Sequence, residues 1–218
     1  GAKNSIILVP ITKDDAKFYE RWTDRSKMLI IPQGFDSDIF NPFYTPPDNS
    51  PKKILFCGNY GIQFNQEVIN VVMSQILENV LVKYKEVQFI FIGANPPRHI
   101  SHPNVQFTGF IQNYPDYLKN CDLFISPMLH GRGSPTKIIE ALACGKNIIS
   151  TPIGARSIES DYDSLHIANI SNFADKIVSV LKMNNPVNPS DYEKIYNRYA
   201  WSKTIPKLFQ NIEYFSVH

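Results

Sequence analysis

The chain has 218 residues, of which 43% are hydrophobic and 19% are charged, an ordinary composition for a globular protein and unlike that of a disordered tail. Its net charge is +2, and its 22 Lys and Arg are scattered along the chain, which gives nucleic-acid binding no support. No apolar run approaches the ~20 residues that span a bilayer, and three well-separated cysteines predict free thiols in a reducing compartment.

Short β-rich runs alternate with helical patterns, as in parallel sheets whose strands are joined by crossover helices. The predicted strands are residues 6–10, 28–32, 53–58, 87–93, 104–109, 121–127, 146–150 and 164–168. Helical spacing of apolar residues predicts helices over 63–84, 114–120, 135–144 and 172–183, and two more within 191–215. Most strands are continuously apolar, which indicates burial on both faces. The sequence therefore predicts an α/β fold with a Rossmann-like doubly wound parallel sheet.

A proline-rich connector separates the first two predicted strands from the rest. Its prolines, Pro42, Pro46, Pro47 and Pro51, each fix φ and lack a backbone donor. We therefore assign 33–51 as a linker and 52–218 as the main domain. The strand, helix and strand predicted within 1–32 are too few to bury a sheet, so we interpret them as the end of a preceding domain.

In a doubly wound sheet, ligands bind outside the carboxyl ends of the strands, where the strand order reverses. Five segments follow such ends: 58–64, 93–98, 109–113, 127–137 and 151–156. Four of them have a glycine at or near the strand end, which lets the backbone approach a ligand closely. Glycine is also common at loop starts that bind nothing, so this feature alone leaves both interpretations open.

The helix predicted after Ser134 has two different faces. Ser134 can cap free N–H groups and Pro135 suits the first helical position. At ~100° per residue, two isoleucines and a leucine face the core, whereas Thr136, Lys137 and Glu140 lie on the opposite face, at the mouth of the sheet.

The charges on that helix are suited to a nucleoside diphosphate. The N-terminal dipole end and Lys137 favour a diphosphate, and a carboxylate such as Glu140, one turn further along, can accept hydrogen bonds from ribose hydroxyls. The alternative is that Lys137 and Glu140 form an ordinary i,i+3 surface pair.

Six segments in this order resemble the C-terminal, donor-binding half of GT-B glycosyltransferases, particularly family 4 (glycosyl transferases group 1). They are IIPQGFDSDIFNP (30–42), KILFCGNYGIQFNQEVINVV (53–72), VQFIFIGANPP (87–97), HPNVQFTGFIQNYPDYLKNCDLFISP (102–127), GRGSPTKIIEALACGKNIISTPIGA (131–155) and YNRYAWSKTIPKLF (196–209). The resemblance implies that 1–32 is the tail of the N-terminal, acceptor-side domain, and that the donor binds in the cleft between the two domains.

The resemblance also implies roles for individual residues. Glu140 matches the second glutamate of the family's Glu, seven residues, Glu motif, which binds the ribose hydroxyls, and Arg132 stands in place of the first. The sequence follows a subgroup in which Gly131, Gly133 and Lys137 match a glycine-rich loop and a lysine that contact the diphosphate.

Two further positions depart from the family. Asn59 and Asn65 stand where many members carry an arginine and a lysine on the diphosphate, so Arg132, Lys137 or Arg98 would have to supply the missing charge. The segment containing Phe110 and Ile111 resembles the one whose backbone faces the nucleobase. The predicted nucleotide-sugar site comprises Gly58, Asn59, Phe110, Ile111, Arg132, Gly133, Ser134, Thr136, Lys137 and Glu140.

As a family member, the protein is expected to be a hexosyltransferase that uses a UDP or GDP sugar and retains anomeric configuration. The resemblance implies a glycan or lipid-linked acceptor, polysaccharide biosynthesis, no metal or other cofactor, and no activity for this part without the N-terminal domain. A cytoplasmic setting is expected, with peripheral membrane contact if the acceptor is lipid-linked. No catalytic residue is assigned.

Two alternatives remain at this stage, a non-catalytic nucleotide-binding or scaffold module and a sugar-nucleotide epimerase of the same fold. Neither a dehydrogenase Gly-x-Gly-x-x-Gly motif nor a P-loop is present.

Overall fold

The computed structural model of the protein describes residues 7–42, 51–131, 135–158, 161–183 and 189–217, with the last six of them described by backbone alone. Its centre is a six-stranded parallel sheet with the strand order β3-β2-β1-β4-β5-β6. The strands are β1 (Lys52–Cys57), β2 (Val87–Ile92), β3 (Val105–Gly109), β4 (Leu123–Ser126), β5 (Asn147–Ser150) and β6 (Leu165–Ile167). The predicted α/β fold with a doubly wound parallel sheet is confirmed.

Helices lie between β1 and β2, between β3 and β4 and between β4 and β5, and helices cover both faces of the sheet. They are α1 (Lys13–Tyr19), α2 (Gln63–Val71), α3 (Leu77–Leu81), α4 (Tyr114–Lys119), α5 (Thr136–Ala143), α6 (Ile170–Met183), α7 (Pro189–Tyr199) and α8 (Trp201–Val217). A π-helical segment, Val72–Ile76, joins α2 to α3, so the single helix predicted over 63–84 is interrupted by a change of winding. Within the described ranges, no helix combines the length and the apolarity needed to cross a membrane.

Alternate residues of β1 point to two separate hydrophobic clusters. Ile54 and Phe56 face a cluster built with α2, α3 and α6, and Leu55 and Cys57 face a second cluster built with α4, α5 and α7. Both faces of the central strands are therefore buried, which explains why these strands are continuously apolar instead of alternating with polar residues.

The two strands predicted before the linker are wrong as strands. In place of 6–10 and 28–32, the described residues form one isolated parallel bridge between Leu8 and Met28. Pro10 and Pro32 lack the backbone donor that continued pairing requires. Two such short runs also cannot form a stable sheet by themselves.

Part of the segment predicted as a linker packs on the main sheet domain. The backbone N–H of Phe35 donates to the Tyr199 carbonyl at 3.1 Å, and the Trp201 N–H donates to the Phe35 carbonyl at 3.0 Å. The Phe35 side chain is buried in the second cluster. Residues 43–50 lie outside the described residues, and the domain boundaries at 32 and 51 stay predictions.

The strand order reverses between β1 and β4. From β1 the chain continues to β2 and then β3 on one side, whereas β4, β5 and β6 extend the sheet on the other side. This arrangement leaves a crevice at the carboxyl ends of β1 and β4, where open α/β sheets bind their ligands.

Candidate functional site

A cavity of about 190 Å³ lies at this reversal point. Phe56 of β1 and Phe124 of β4 line it, together with Asn65 at the start of α2, Lys137 in the first turn of α5 and Arg156 in the loop after β5. Most pockets for drug-sized ligands measure roughly 300–1,000 Å³, so this cavity holds one part of a larger ligand and leaves the remainder outside.

The first turn of α5 brings Thr136 and Lys137 to the cavity, as the helical spacing predicts. The core face of the helix is buried, also as predicted. The helix begins at Thr136, so the prediction that Pro135 is its first residue is wrong. Pro135 has φ −79° but ψ 58°, because its ring fixes φ alone. The predicted cap residue, Ser134, lies outside the described residues, as do Arg132 and Gly133.

Lys137 is held against the end of β1 and is not paired with Glu140. Its Nζ atom donates to the Cys57 carbonyl at 2.6 Å and lies 5.8 Å from the centroid of the Phe56 ring. No ion pair joins Lys137 to Glu140, both of which the structure describes. The alternative of an ordinary i,i+3 surface pair is therefore wrong. An ammonium group has three donors, so two remain for a ligand.

Glu140 is partly buried beside Tyr114, the first residue of α4, and is not among the described residues that line the cavity. Burial raises the pKa of its carboxyl to about 7, although the charge of Lys137 and a contact with the Tyr114 hydroxyl both lower that pKa. The Cys57 thiol donates to the Tyr114 oxygen at 3.2 Å. Because burial raises the pKa of both Cys57 and Tyr114, these two groups keep their protons at neutral pH.

Asn59, in the loop after β1, and Asn65, in the first turn of α2, are the two positions of departure from the family, and they are hydrogen-bonded to each other. The Asn65 amide donates to the Asn59 carbonyl at 2.8 Å. The Asn59 side-chain oxygen accepts from the Gly61 N–H and from Asn95, both at 2.9 Å. A Cβ at Gly58 would lie 2.8 Å from the Asn65 side chain, so the predicted glycine permits this packing. These residues fix the loop, and their side chains are engaged with it.

Phe110 and Ile111 follow β3 at the same edge of the sheet. Gly109 has φ +72° and turns the chain out of the strand, which leaves Phe110 78% exposed. Ile111 packs on the same hydrophobic cluster as Tyr114. The segment that the resemblance assigns to the nucleobase therefore lies next to the helix that approaches Glu140.

Sequence reasoning missed two residues of the site, Tyr114 and Arg156. Tyr114 gave no signal, because its role depends on a contact between two helices. His130 is an exposed loop residue at the rim of the cavity, and its Nδ1 lies 2.8 Å from Glu67 Oε2. Arg156 belongs to one of the strand-end segments expected to border a ligand, and a cation at that position was the available signal.

The cavity is positively charged. Lys137 and Arg156 both line it, and the described lining residues include no Asp or Glu. Such a site attracts anions, and an ammonium or guanidinium group can form charge-assisted hydrogen bonds to phosphate oxygens.

The fold and the position of this cavity define a Rossmann-like domain that binds its ligand at the reversal point of the sheet. The chain belongs to the family glycosyl transferases group 1, whose model matches residues 51–183. A curated relative, an N,N'-diacetylbacillosaminyl-diphospho-undecaprenol alpha-1,3-N-acetylgalactosaminyltransferase of Campylobacter jejuni, is 25% identical over an alignment of 176 residues, and the match covers 72% of this chain and 46% of the relative.

Solved structures share the fold at low sequence identity. A glycosyltransferase from Rickettsia africae has a TM-score of 0.74 at 18% identity, over 96% of this chain and 62% of its own. Anabaena Alr3699/HepE, in a complex with UDP and glucose, has a TM-score of 0.73 at 13% identity, over 96% and 63%. The chain thus spans less than two thirds of these relatives. The resemblance to the C-terminal domain of a GT-B fold is confirmed.

Proposed function

We propose that this chain is the donor-binding part of a glycosyltransferase and that it binds a nucleoside diphosphate sugar at the reversal point of the sheet. The observation that carries the proposal is the first turn of α5. It presents Lys137 to a positively charged cavity, and one turn later it holds the Glu140 carboxyl beside Tyr114. A diphosphate and a ribose require these two chemistries at this spacing.

The cavity is large enough for only part of the donor. Its volume of about 190 Å³ suits the diphosphate, which would contact Lys137 and the backbone around Thr136. The ribose would lie beside Glu140, and the base along the backbone of Phe110 and Ile111. When the bond between the sugar and the diphosphate breaks, negative charge develops on the leaving group, and Lys137 would stabilise it electrostatically.

The relatives support a particular class of donor and acceptor. Alr3699/HepE was solved with UDP, which favours a UDP sugar over a GDP sugar here. The name of the Campylobacter relative describes transfer of an N-acetylhexosamine to a sugar on undecaprenyl diphosphate, which favours a lipid-linked acceptor and peripheral membrane contact. Retention of configuration, family 4 membership, a role in polysaccharide biosynthesis and independence from metals and other cofactors remain part of the proposal.

An N-terminal acceptor domain completes the proposed enzyme, and residues 1–32 would belong to its end. Phe18 on α1 and Trp22, just after the end of α1, are about half exposed, as are Trp201 and Ile205 on α8. Such apolar surface is available for contacts with a further domain. We therefore expect this chain by itself to bind the donor without transferring the sugar.

Thermal-shift and calorimetric titrations with UDP, GDP, ADP and NAD test the proposal. We expect UDP to bind and to raise the melting temperature, because a ligand that binds only the folded state stabilises it. Lys137→Ala should weaken UDP binding by about tenfold or more, the effect of losing a charged hydrogen bond. Lys176→Ala, on α6 and away from the cavity lining, is the matched control and should bind UDP like the unmodified chain.

The second candidate is a nucleotide-binding or scaffold module without transferase activity. It is favoured by the engagement of Asn59 and Asn65 within their own loop, at the two positions where the family carries cations. Transfer of a labelled sugar by this chain joined to its N-terminal domain distinguishes the two candidates. Binding of UDP without transfer would favour the module, and binding of no nucleotide would contradict the proposed donor site.

A further inference from the structure

Arg156 is a cavity-lining cation whose charge no described protein group neutralises. Its side chain is partly buried, and it has no hydrogen bond or ion pair within the part of the chain that the structure describes. A guanidinium group has five donors in a planar fork. Since no described protein group uses these donors, they are available to an anionic ligand in the cavity.

The loop that carries Arg156 is held firmly against the sheet. The Thr151 hydroxyl donates to the Met128 carbonyl at 2.6 Å and accepts from the Gly154 N–H at 3.1 Å. A Cβ at Gly154 would lie 2.7 Å from the Ser126 carbonyl oxygen, so only glycine allows the loop to pack this closely against β4. Ala155 is buried directly before Arg156. The backbone is therefore fixed, and the arginine side chain extends from it into the cavity.

Arg156 and Lys137 reach the cavity from different elements, the loop after β5 and the first turn of α5. Lys137 lies one helical turn before Glu140 on α5, and side chains at this spacing are neighbours on the helix surface, whereas Arg156 comes from a different element. If the ribose lies at Glu140, Lys137 is beside the phosphate that is attached to the ribose. Arg156 is then available to the second phosphate, which carries the sugar.

We propose that Arg156 binds the sugar-bearing phosphate of the donor and supplies the positive charge that Asn59 and Asn65 do not. This inference rests on the proposed donor site and adds to it a specific residue for the second phosphate. Two other arginines are rivals for the role. Arg98 is exposed in the loop after β2 and is not among the described lining residues, and Arg132 lies outside the described residues.

Calorimetric titration of UDP, UMP and pyrophosphate into four forms of the chain tests this inference. The forms are the unmodified chain, Arg156→Ala, Arg156→Lys and Arg98→Ala. We expect Arg156→Ala to weaken the binding of UDP and pyrophosphate by about tenfold or more, as the loss of a charged hydrogen bond does. Its affinity for UMP should not change, because UMP lacks the second phosphate. Arg156→Lys should recover part of the loss, and Arg98→Ala should bind all three ligands like the unmodified chain.

The possible outcomes separate this inference from the proposed function. If the unmodified chain binds no UDP, both are wrong. If it binds UDP and Arg156→Ala binds UDP equally well, or loses UMP to the same extent as UDP, only the assignment of Arg156 is overturned. Loss of UDP binding in Arg98→Ala would transfer the role to Arg98. Because the Arg156 side chain has no protein partner among the described residues, we expect Arg156→Ala to melt at the same temperature as the unmodified chain without ligand.

Discussion

The segment after β1 and the loop after β5 each contribute a polar residue to the cavity lining, Asn65 and Arg156, but the two segments use their polar side chains differently. In the first segment, the Asn65 side chain donates to the Asn59 carbonyl, and the Asn59 side chain accepts from the Gly61 N–H. In the second loop, Thr151 is engaged in the same way, whereas Arg156 has no partner in the described chain. These polar residues therefore fall into two groups, those whose side chains are hydrogen-bonded within their own segment and those without a partner among the described residues, which we propose bind the ligand.

This difference gives a physical account of the departure from the family. The two asparagines carry no charge at the positions where the resemblance implies cations, and their side chains are hydrogen-bonded within their own segment. Arg156 lines the cavity from the loop after β5, and Lys137 lines it from α5. The positive charge of the cavity therefore comes from these other elements. The predictions below test whether the two groups of residues behave differently.

Substitution of Glu140 should change stability more than the other substitutions. Its carboxyl is partly buried against the protein, and we also propose that it binds the ribose of the ligand. Its pKa in the folded chain is about 7, above the ordinary value of 4.5. Below pH 4.5 the carboxyl is mostly protonated in both the folded and the unfolded chain, so its ionisation does not lower the free energy of unfolding. Between these two values the unfolded state loses its proton first, so the stability of the fold falls as pH rises, and the loss is complete above pH 7.

Glu140→Gln removes this cost, and the variant should be more stable than the unmodified chain by about 2 kcal/mol at pH 8, with little difference at pH 4. Denaturant unfolding of both proteins at the two pH values measures the effect. Glu193→Gln, on the exposed side of α7, is the matched control for removing one carboxylate. An equal difference at pH 4 and pH 8 would show that burial of the Glu140 charge is not the cause.

Asn65→Ala should lower stability by about 1 kcal/mol, the usual net contribution of one hydrogen bond, because the Asn59 carbonyl loses a donor while keeping the Ile62 N–H. Arg156→Ala should show the opposite pattern, with unchanged stability and weaker UDP binding. Unfolding curves and UDP titrations of both variants make the comparison. If Asn65→Ala leaves stability unchanged but weakens UDP binding as strongly as Arg156→Ala, the distinction between the two loops fails.

The sheet could be predicted from the sequence more completely than the site. All of β1 to β6 were predicted: the inner strands β2, β1, β4 and β5 are mostly buried and are recognisable as apolar runs, and the less buried edge strands β3 and β6 still contain short apolar, β-branched or aromatic runs. The runs at 6–10 and 28–32 have the same composition, but they lack neighbouring strands among the described residues. Apolar composition predicts that a segment will be buried, but it does not predict whether neighbouring strands are available to pair with that segment.

At the site, helical spacing was sufficient to predict that Thr136 and Lys137 reach the cavity, because both residues are on one turn of one helix. It could not predict that Lys137 bonds to the Cys57 carbonyl, since that contact depends on how α5 packs against β1. Tyr114 and Arg156 were missed for the same reason. The resemblance directed attention to Asn59 and Asn65 by position, but only the geometry of the turn reveals that their side chains are already engaged.

Tyr114→Phe should have the smallest effect. It tests whether the contact with the Tyr114 hydroxyl changes the pKa of Glu140, the group that we propose binds the ribose. The Tyr114 hydroxyl lowers the pKa of Glu140, in the same direction as Lys137 and against the effect of burial. Removing the hydroxyl should therefore raise that pKa above about 7. A carboxylate accepts hydrogen bonds from ribose more readily than a neutral carboxyl, because both of its oxygens are then acceptors only. The pH at which UDP binding reaches half of its maximum should thus shift upward, by about half a unit to one unit.

Titrations of UDP between pH 5 and pH 9 measure this shift, and 2′,3′-dideoxy-UDP, which lacks both ribose hydroxyls, should bind with no such dependence on Glu140. Tyr117→Phe removes a hydroxyl from the same helix at a more exposed position and serves as the control. A merely structural role for Tyr114 would weaken UDP binding equally at every pH. A shift of the profile in Tyr114→Phe alone would mean that the hydroxyl acts through the charge of Glu140, so that one residue can stabilise the fold and also prepare its neighbour for the ligand.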